Sequence, residues 1–158
     1  MKLAPFFRTP ERCKLLSDAC LEREGTPFRE GMCQKGVGYD CAHFIRDVYN
    51  ACGVDTTPFD RAQKISLNYG KFHSESLLMN VVREVGADRL PIIDSDEAFM
   101  PGDILGIRIY ASCNHLAIVE DDDWAWHIPF GGVVSRESLE GMKKYIKIRH
   151  RYMEKADV

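Results

Sequence analysis

The sequence predicts an α+β fold, with helices in the first half of the chain and antiparallel strands in the second. Apolar residues recur at helical spacing up to about residue 85, and beyond Pro101 they alternate with polar residues as in strands. A length of 158 residues suits one domain, and neither a linker nor an internal repeat divides it. We therefore expect residues 1–158 to form a single domain in which N-terminal helices pack on a C-terminal antiparallel sheet.

Two helices are well defined by the residues at their ends. Thr9 and Pro10 are typical of a helix start, and Gly25 is expected to end this first helix. Asp40 is a good N-cap for a second helix, and Gly53 provides its stop. The second helix carries an uninterrupted apolar stripe: Cys41, Phe44, Ile45, Val48, Tyr49 and Cys52.

The other segments of the first half have weaker patterns. Residues 25–40 are rich in turn-forming glycine and proline, so we expect an ordered loop there. Weaker helical patterns occupy residues 58–70 and residues 74–85.

Several short strands are predicted after Pro101. Residues 104–109, 114–119 and 124–128 have strand patterns, and the acidic run between the last two is expected to form a hairpin turn. A short helix near residues 136–141 and a last strand over residues 144–152 complete the prediction. His73 and the Arg149–Arg151 segment carry no motif, so we expect them to be exposed.

Composition and charge exclude several classes of protein. The 21 Lys and Arg against 24 Asp and Glu give a net charge of −3 without a basic stripe, which argues against nucleic-acid binding. No apolar stretch is long enough for a membrane helix, and the first residues lack the apolar core of a secretion signal. We therefore expect a protein that is cytoplasmic as synthesised, with its six cysteines reduced.

The position of Cys41 is the first indication of chemistry. It begins the second helix, where free backbone N–H groups and the helix dipole favour an anion and are expected to lower the pKa of a thiol. The same N–H groups are the donors that a tetrahedral oxyanion needs. The alternative is that Cys41, which lies on the apolar stripe, is an inert core residue.

Two histidines on the predicted strands could complete a catalytic group. His115 lies near the start of one strand and His127 in the next, and the short turn between them makes these strands antiparallel neighbours. One imidazole would take the thiol proton while the other fixes the tautomer of the first, as in a triad. A one-residue change of register would instead turn His127 away from Cys41.

Five segments of residues 25–134 match the motifs of one known family in order: Gly25-Thr26-Pro27-Phe28; Asp40-Cys41 with Phe44, Ile45 and Val48; Pro101-Gly102-Asp103-Ile104; His115-Leu116-Ala117-Ile118-Val119; and Trp126-His127-Ile128. By these segments the chain resembles the NlpC-type cell-wall cysteine peptidases of the papain-like clan. The resemblance implies a papain-like fold with the nucleophile at a helix N-terminus. The signal-free chain looks most like the phage-encoded branch, which a phage tail or lysis system would deliver to the cell wall.

By this resemblance, Cys41 is the nucleophile, His115 the general base and then acid, and His127 the orienting residue. The implied reaction is hydrolysis of peptidoglycan stem peptides between D-glutamate, through its γ-carboxyl, and a diamino acid. It proceeds through a thioester and needs neither a cofactor nor a metal. Asp40 would either cap the helix, the role we favour, or meet a substrate amine.

The chain departs from the family pattern at two places beside the expected cleft. Ala42-His43 stands where the family has Ser-Gly, and Phe28 stands where it has tyrosine. Phe28 is thus a candidate substrate contact without a hydroxyl, and Tyr39 could supply a replacement. These departures bear on the choice of substrate more than on the type of reaction.

Three other functions are compatible with the same residues. Cysteine and histidine are preferred zinc ligands, so a metal site could be built from a subset of Cys41, His43, Cys113, His115 and His127. Related papain-like proteins use the same cysteine and histidine for acyl transfer to other amides or esters. The third alternative is a non-catalytic binding or phage assembly module in which Cys41 is merely packed.

Overall fold

The computed structural model describes residues 2–60, 77–109 and 112–156. Its helices are α1 (Pro10–Arg23), α2 (Cys41–Ala51), α3 (Leu77–Val85) and α4 (Leu139–Met142), followed by a 3₁₀ turn at Lys143–Tyr145. Its strands are β1 (Leu3–Pro5), β2 (Cys33–Gln34), β3 (Gly38–Tyr39), β4 (Ile104–Ile109), β5 (Ser112–Val119), β6 (Trp124–His127), β7 (Ser135–Ser138), β8 (Ile146–His150) and β9 (Met153–Lys155). The expected combination of N-terminal helices and a C-terminal antiparallel sheet is confirmed.

Within the described residues, the central sheet has five strands in the order β7-β6-β5-β4-β8, and every neighbouring pair is antiparallel. Strands β5 and β6 form the predicted hairpin, whose turn lies in the acidic run, where Asp121 accepts hydrogen bonds from the backbone of Asp123 and Trp124. The register pairs Ala117 with His127. The hairpin therefore brings the strand that carries His115 beside the strand that carries His127.

Local sequence signals explain the two main helices. The Thr9 side chain accepts a hydrogen bond from the backbone N–H of Arg12, with Pro10 in the first turn of α1. The Asp40 side chain caps α2 in the same way, through the N–H of His43. The apolar stripe of α2 is buried against one face of the sheet. Only this side of the amphipathic helix is apolar, so it is the side that packs away from water.

The two faces of the sheet are covered differently. The face toward α1 and α2 holds Leu116, Ile118 and Trp126 in the larger core. The opposite face holds a smaller apolar cluster that includes Ala117, Ala125 and the α4 residue Leu139. Alternation along each strand separates these two sets, as expected for antiparallel strands buried on both sides.

Several parts of the prediction are corrected. The loop over residues 25–40 contains the small hairpin β2-β3, and the expected helix near residues 136–141 is strand β7 followed by the shorter α4. The strand expected over residues 144–152 is the shorter β8, and a further strand, β9, follows it and pairs with β1, so that the two ends of the described chain meet. The helical pattern over residues 74–85 is observed as α3, whereas most of the one over residues 58–70 lies outside the described residues.

The expectation that Arg149, His150 and Arg151 are exposed is wrong, because all three are buried. The ring of His150 contacts the carbonyl of Leu90 at 2.6 Å, and Arg151 forms a bidentate ion pair with the fully buried Asp103. The charge of Arg151 is therefore paired inside the protein, next to the start of β4. His73 lies outside the described residues.

The described part of the chain contains no helix long and apolar enough to cross a membrane. Five of the six cysteines are described as free thiols there: Cys13, Cys20, Cys33, Cys41 and Cys52.

Candidate active site

Cys41 occupies the first position of α2, as the sequence predicts. The N–H of His43, one of the four donors of the first turn that lack a partner within the helix, bonds the Asp40 side chain, and the N–H of Phe44 makes the first bond within the helix, to the Asp40 carbonyl. The two earlier N–H groups, of Cys41 and Ala42, act on the Cys41 sulfur. The helix start therefore leaves two backbone donors beside the thiol.

The Cys41 sulfur also lies near strand β5, because the backbone N–H of Leu116 is close enough to oppose the rise in the pKa of this thiol. Leu116 directly follows His115, and the pairing of β5 with β6 begins one residue later, at Ala117 and His127. The thiol is therefore placed near the backbone of the residue that follows His115 on β5.

The pKa of the Cys41 thiol is raised to about 12 in this structure, so the expectation of a lowered pKa is wrong. Burial is the main cause, since Cys41 is only 7% exposed, and the Asp40 carboxylate adds a repulsion that disfavours the thiolate. The backbone donors oppose this rise without cancelling it. Cys41 is accordingly a neutral thiol near pH 7.

His115 and His127 are in direct contact, with 2.9 Å between His115 Nε2 and His127 Nδ1. Both are 8% exposed, and burial lowers the pKa of each. For His115 the pKa falls to about 4, with repulsion from His127 as a second cause. Both imidazoles are therefore neutral near pH 7, and the predicted contact between the two rings is confirmed.

Glu137 is a further polar residue of this cluster, and the sequence analysis missed it. Its Oε2 lies 2.5 Å from His127 Nε2. Glu137 lies on β7, opposite Ala125 on β6, which places its side chain on the same sheet face as His127. The assignment of residues 136–141 to a helix concealed this contact, and the segment Ser135–Ser138 is polar at every position, so it carries no apolar alternation that would mark a strand.

Asp40 is held by three groups of the protein. Beyond the N-cap bond to the N–H of His43, its Oδ2 accepts a hydrogen bond from the backbone N–H of Gly31 at 3.0 Å. Both its carboxylate oxygens lie 2.8 Å from the Nδ1 of His43. The histidine that departs from the family pattern thus engages the carboxylate next to Cys41, and these contacts support the capping role.

The structure places Phe28 and Tyr39 in different surroundings. Phe28 is half-buried, and its ring packs against the exposed ring of Phe130 with 5.1 Å between centroids. Tyr39 is fully buried, and its hydroxyl donates to the carboxylate of Asp47. The Tyr39 hydroxyl therefore ties β3 to α2, while Phe28 belongs to an aromatic pair at the surface.

The residues of the metal alternative are engaged in other contacts. The Nδ1 of His43 binds Asp40, His115 binds His127, and the side chain of Cys113 lies outside the described part of the chain. Among the residues that the structure describes, no three Cys, His, Asp or Glu side chains converge as metal ligands. The histidine pair is instead arranged as a hydrogen-bonded chain.

Comparison with known proteins gives a likeness of fold. No protein-family model matches the chain, and no curated protein sequence matches it. A solved structure from Staphylococcus aureus, described as similar to lipoprotein of the NLP/P60 family, is similar with a TM-score of 0.63 and 16% sequence identity. The likeness covers 96% of this chain and 45% of that protein, so this chain spans less than half of its length. At this identity the likeness shows an NLP/P60 type of fold, the fold expected from the sequence motifs.

Proposed function

We propose that this protein is a cysteine peptidase or amidase that hydrolyses peptidoglycan stem peptides through a thioester on Cys41. The observation that carries the proposal is the contact between His115 and His127, together with the position of the Cys41 sulfur near the backbone N–H of Leu116, the residue after His115. A nucleophile, a base and a residue that orients the base are the minimum for this chemistry. The NLP/P60 type of fold supports the same assignment.

The neutral states of Cys41 and His115 imply how the attack would begin. The thiol proton moves to His115 as the sulfur attacks the carbonyl carbon, which creates a thiolate-like sulfur next to an imidazolium. Each charge then favours the other, and the buried site strengthens their attraction. Proton transfer is therefore coupled to attack on the bound substrate, and Cys41 is a neutral thiol before the substrate binds.

The remaining steps use groups already at the site. The N–H groups of Cys41 and Ala42 would stabilise the oxyanion of the tetrahedral intermediate. His115 then gives its proton to the leaving amine, which leaves a thioester on Cys41. Water, deprotonated by His115, attacks the thioester carbonyl; the acid is released and the thiol is restored.

The substrate class that we propose is the stem peptide cut between the γ-carboxyl of D-glutamate and a diamino acid. The motif resemblance and the fold support it. Because Asp40 is engaged by His43 and Gly31, we assign Asp40 to the helix cap. The Phe28–Phe130 pair offers an apolar contact near the cap, since Phe28 is bridged to Tyr39, the residue before Asp40.

The test is hydrolysis of a synthetic γ-D-glutamyl stem tripeptide, followed by chromatography with mass detection. We expect the wild type to release the diamino acid and the Cys41→Ala and His115→Gln variants to be inactive. Cys52→Ala is the matched control, because Cys52 lies on the same helix face at the other end of α2. Full activity in Cys41→Ala would refute the assignment. Cleavage of an ester or another amide in place of the tripeptide would favour the acyl-transfer alternative.

A non-catalytic binding or assembly module on this fold is the second candidate. The burial of Cys41 and its raised pKa are the observations that favour it. Such a module would bind peptidoglycan or phage tail components equally well as wild type and as Cys41→Ala, without releasing any product.

A further inference from the structure

We propose that Glu137 is a positioning residue that fixes the tautomers of both histidines, so that His115 presents an unprotonated Nδ1 as the base. This inference rests on the proposed function in that it assigns a base to the reaction. It is carried by the chain of contacts from Glu137 Oε2 to His127 Nε2 and from His127 Nδ1 to His115 Nε2.

The donor and the acceptor of each hydrogen bond follow from Glu137, the carboxylate at one end of the hydrogen-bonded series Glu137–His127–His115. An ionised carboxylate can only accept, so His127 must donate from Nε2 to Glu137. A neutral imidazole has one donor and one acceptor nitrogen, so His127 Nδ1 then accepts. Its partner, His115 Nε2, must carry the proton of that ring. The Nδ1 of His115 is left with a lone pair.

This assignment of donors and acceptors requires both imidazole rings to be neutral, and burial keeps them neutral. The pKa of His115 falls to about 4 and the pKa of His127 is also lowered, so neither ring carries a second proton near pH 7. Glu137 by contrast is about half exposed, which keeps its carboxylate hydrated and able to act as an acceptor. Both hydrogen bonds therefore point the same way: the buried His115 donates to His127, and His127 donates to the half-exposed Glu137.

The geometry of the sheet explains why this position can hold the carboxylate. Glu137 is on the edge strand β7, diagonally across from His127 on β6, and the rings share one sheet face with it. Cross-strand neighbours on one face are close enough for direct contact. Because the residue lies at an exposed edge, its side chain can be changed with little effect on the core.

Two substitutions at this position separate tautomer control from a structural role. Glu137→Ala removes the acceptor, whereas Glu137→Lys replaces it with a group that can only donate. A donor facing His127 Nε2 would reverse both hydrogen bonds and place a proton on His115 Nδ1, which blocks the base. A residue that only supported the fold would give the same result in both variants. Glu140→Lys, at an exposed position on α4, is the matched control for the change of charge.

The first measurement is the ¹⁵N signal of each imidazole nitrogen near pH 7, which needs no substrate. We expect pyrrole-type signals for Nε2 and pyridine-type signals for Nδ1 of both rings in the wild type and in Glu140→Lys. Glu137→Ala should give mixed tautomers and Glu137→Lys the reversed assignment. Protonated Nδ1 on His115 in the wild type, or unchanged signals in both Glu137 variants, would overturn the inference.

The second measurement is the steady-state kinetics of stem-peptide hydrolysis. Loss of an orienting partner of this kind costs about 10- to 100-fold in activity, by analogy with the partners that orient metal-bound histidines. We expect Glu137→Ala to lose kcat to this extent with KM unchanged, and Glu137→Lys to lose more. Equal kcat in wild type and both variants would refute the role. If no peptide is hydrolysed at all, the proposed function fails, while the ¹⁵N signals still decide the tautomer inference.

Discussion

Replacing Asp40 with asparagine should make Cys41 more reactive, because the Asp40 carboxylate is the second-largest cause of the raised pKa of this thiol. Asparagine is as good an N-cap as aspartate, so α2 should keep its start and its dipole. The substitution therefore removes a charge and leaves the cap in place. Burial, the largest cause, is unchanged.

The magnitude follows from the pKa of about 12. At pH about 8 only about one thiol in ten thousand is ionised, and each unit by which the pKa falls increases the thiolate tenfold. One nearby charge shifts a pKa by about one to three units, and we take one to two because Asp40 is partly exposed. Since a less basic thiolate is also a weaker nucleophile, the net gain is about threefold for one unit and about tenfold for two.

The assay is alkylation by iodoacetamide, resolved for each cysteine by mass spectrometry, at pH about 8. Asp122→Asn, in the exposed hairpin turn, controls for the change of net charge, and thermal unfolding checks that α2 is intact. An unchanged or slower rate at Cys41 in a folded Asp40→Asn protein would refute the electrostatic account. A wild-type Cys41 that reacts as fast as an exposed thiol would contradict the raised pKa itself.

Three further predictions concern stability and the role of Tyr39. Burial lowers the pKa of His115 from about 6.5 to about 4, so as the pH falls the unfolded protein binds this proton before the folded protein does. The free energy of unfolding should therefore fall by about 3 kcal/mol across this pH interval. Urea titrations at each pH measure it, and His115→Gln should lack this loss. Tyr39→Phe removes the hydrogen bond to Asp47 and should cost about 1.5–3 kcal/mol of stability with KM unchanged; a raised KM at unchanged stability would instead make Tyr39 a substrate contact. Arg151→Met leaves the carboxylate of Asp103 buried without its partner and should cost about 3–5 kcal/mol in urea unfolding, whereas a loss below about 1 kcal/mol would show that the pair contributes little.

The features that local sequence signals specify were predicted well. The ends of α2 follow from Asp40 and Gly53, since capping and positive-φ glycine act within one turn of the helix. The β5-β6 hairpin follows from alternation and from a short acidic turn, and its register brings His115 to His127. The nucleophile candidate and the two histidines therefore come from the sequence.

The features that depend on distant contacts were missed. Glu137 reaches His127 only because β7 pairs with β6, and a short polar segment with one glutamate gives little sign of a strand. Arg151 is buried because Asp103, far away in the chain, neutralises it. The pKa of Cys41 was predicted in the wrong direction because the helix dipole is a local signal, whereas burial depends on the whole fold.

The most direct test of the central claim is to look for the covalent intermediate. The protein is mixed with a γ-D-glutamyl stem peptide, quenched in acid within one turnover, and analysed by intact-protein and peptide mass spectrometry. We predict a mass increase equal to the acyl part of the peptide on the fragment that contains Cys41, absent in both His115→Gln and Cys41→Ala. Product release without any acylated Cys41, or acylation at another residue, would contradict the account.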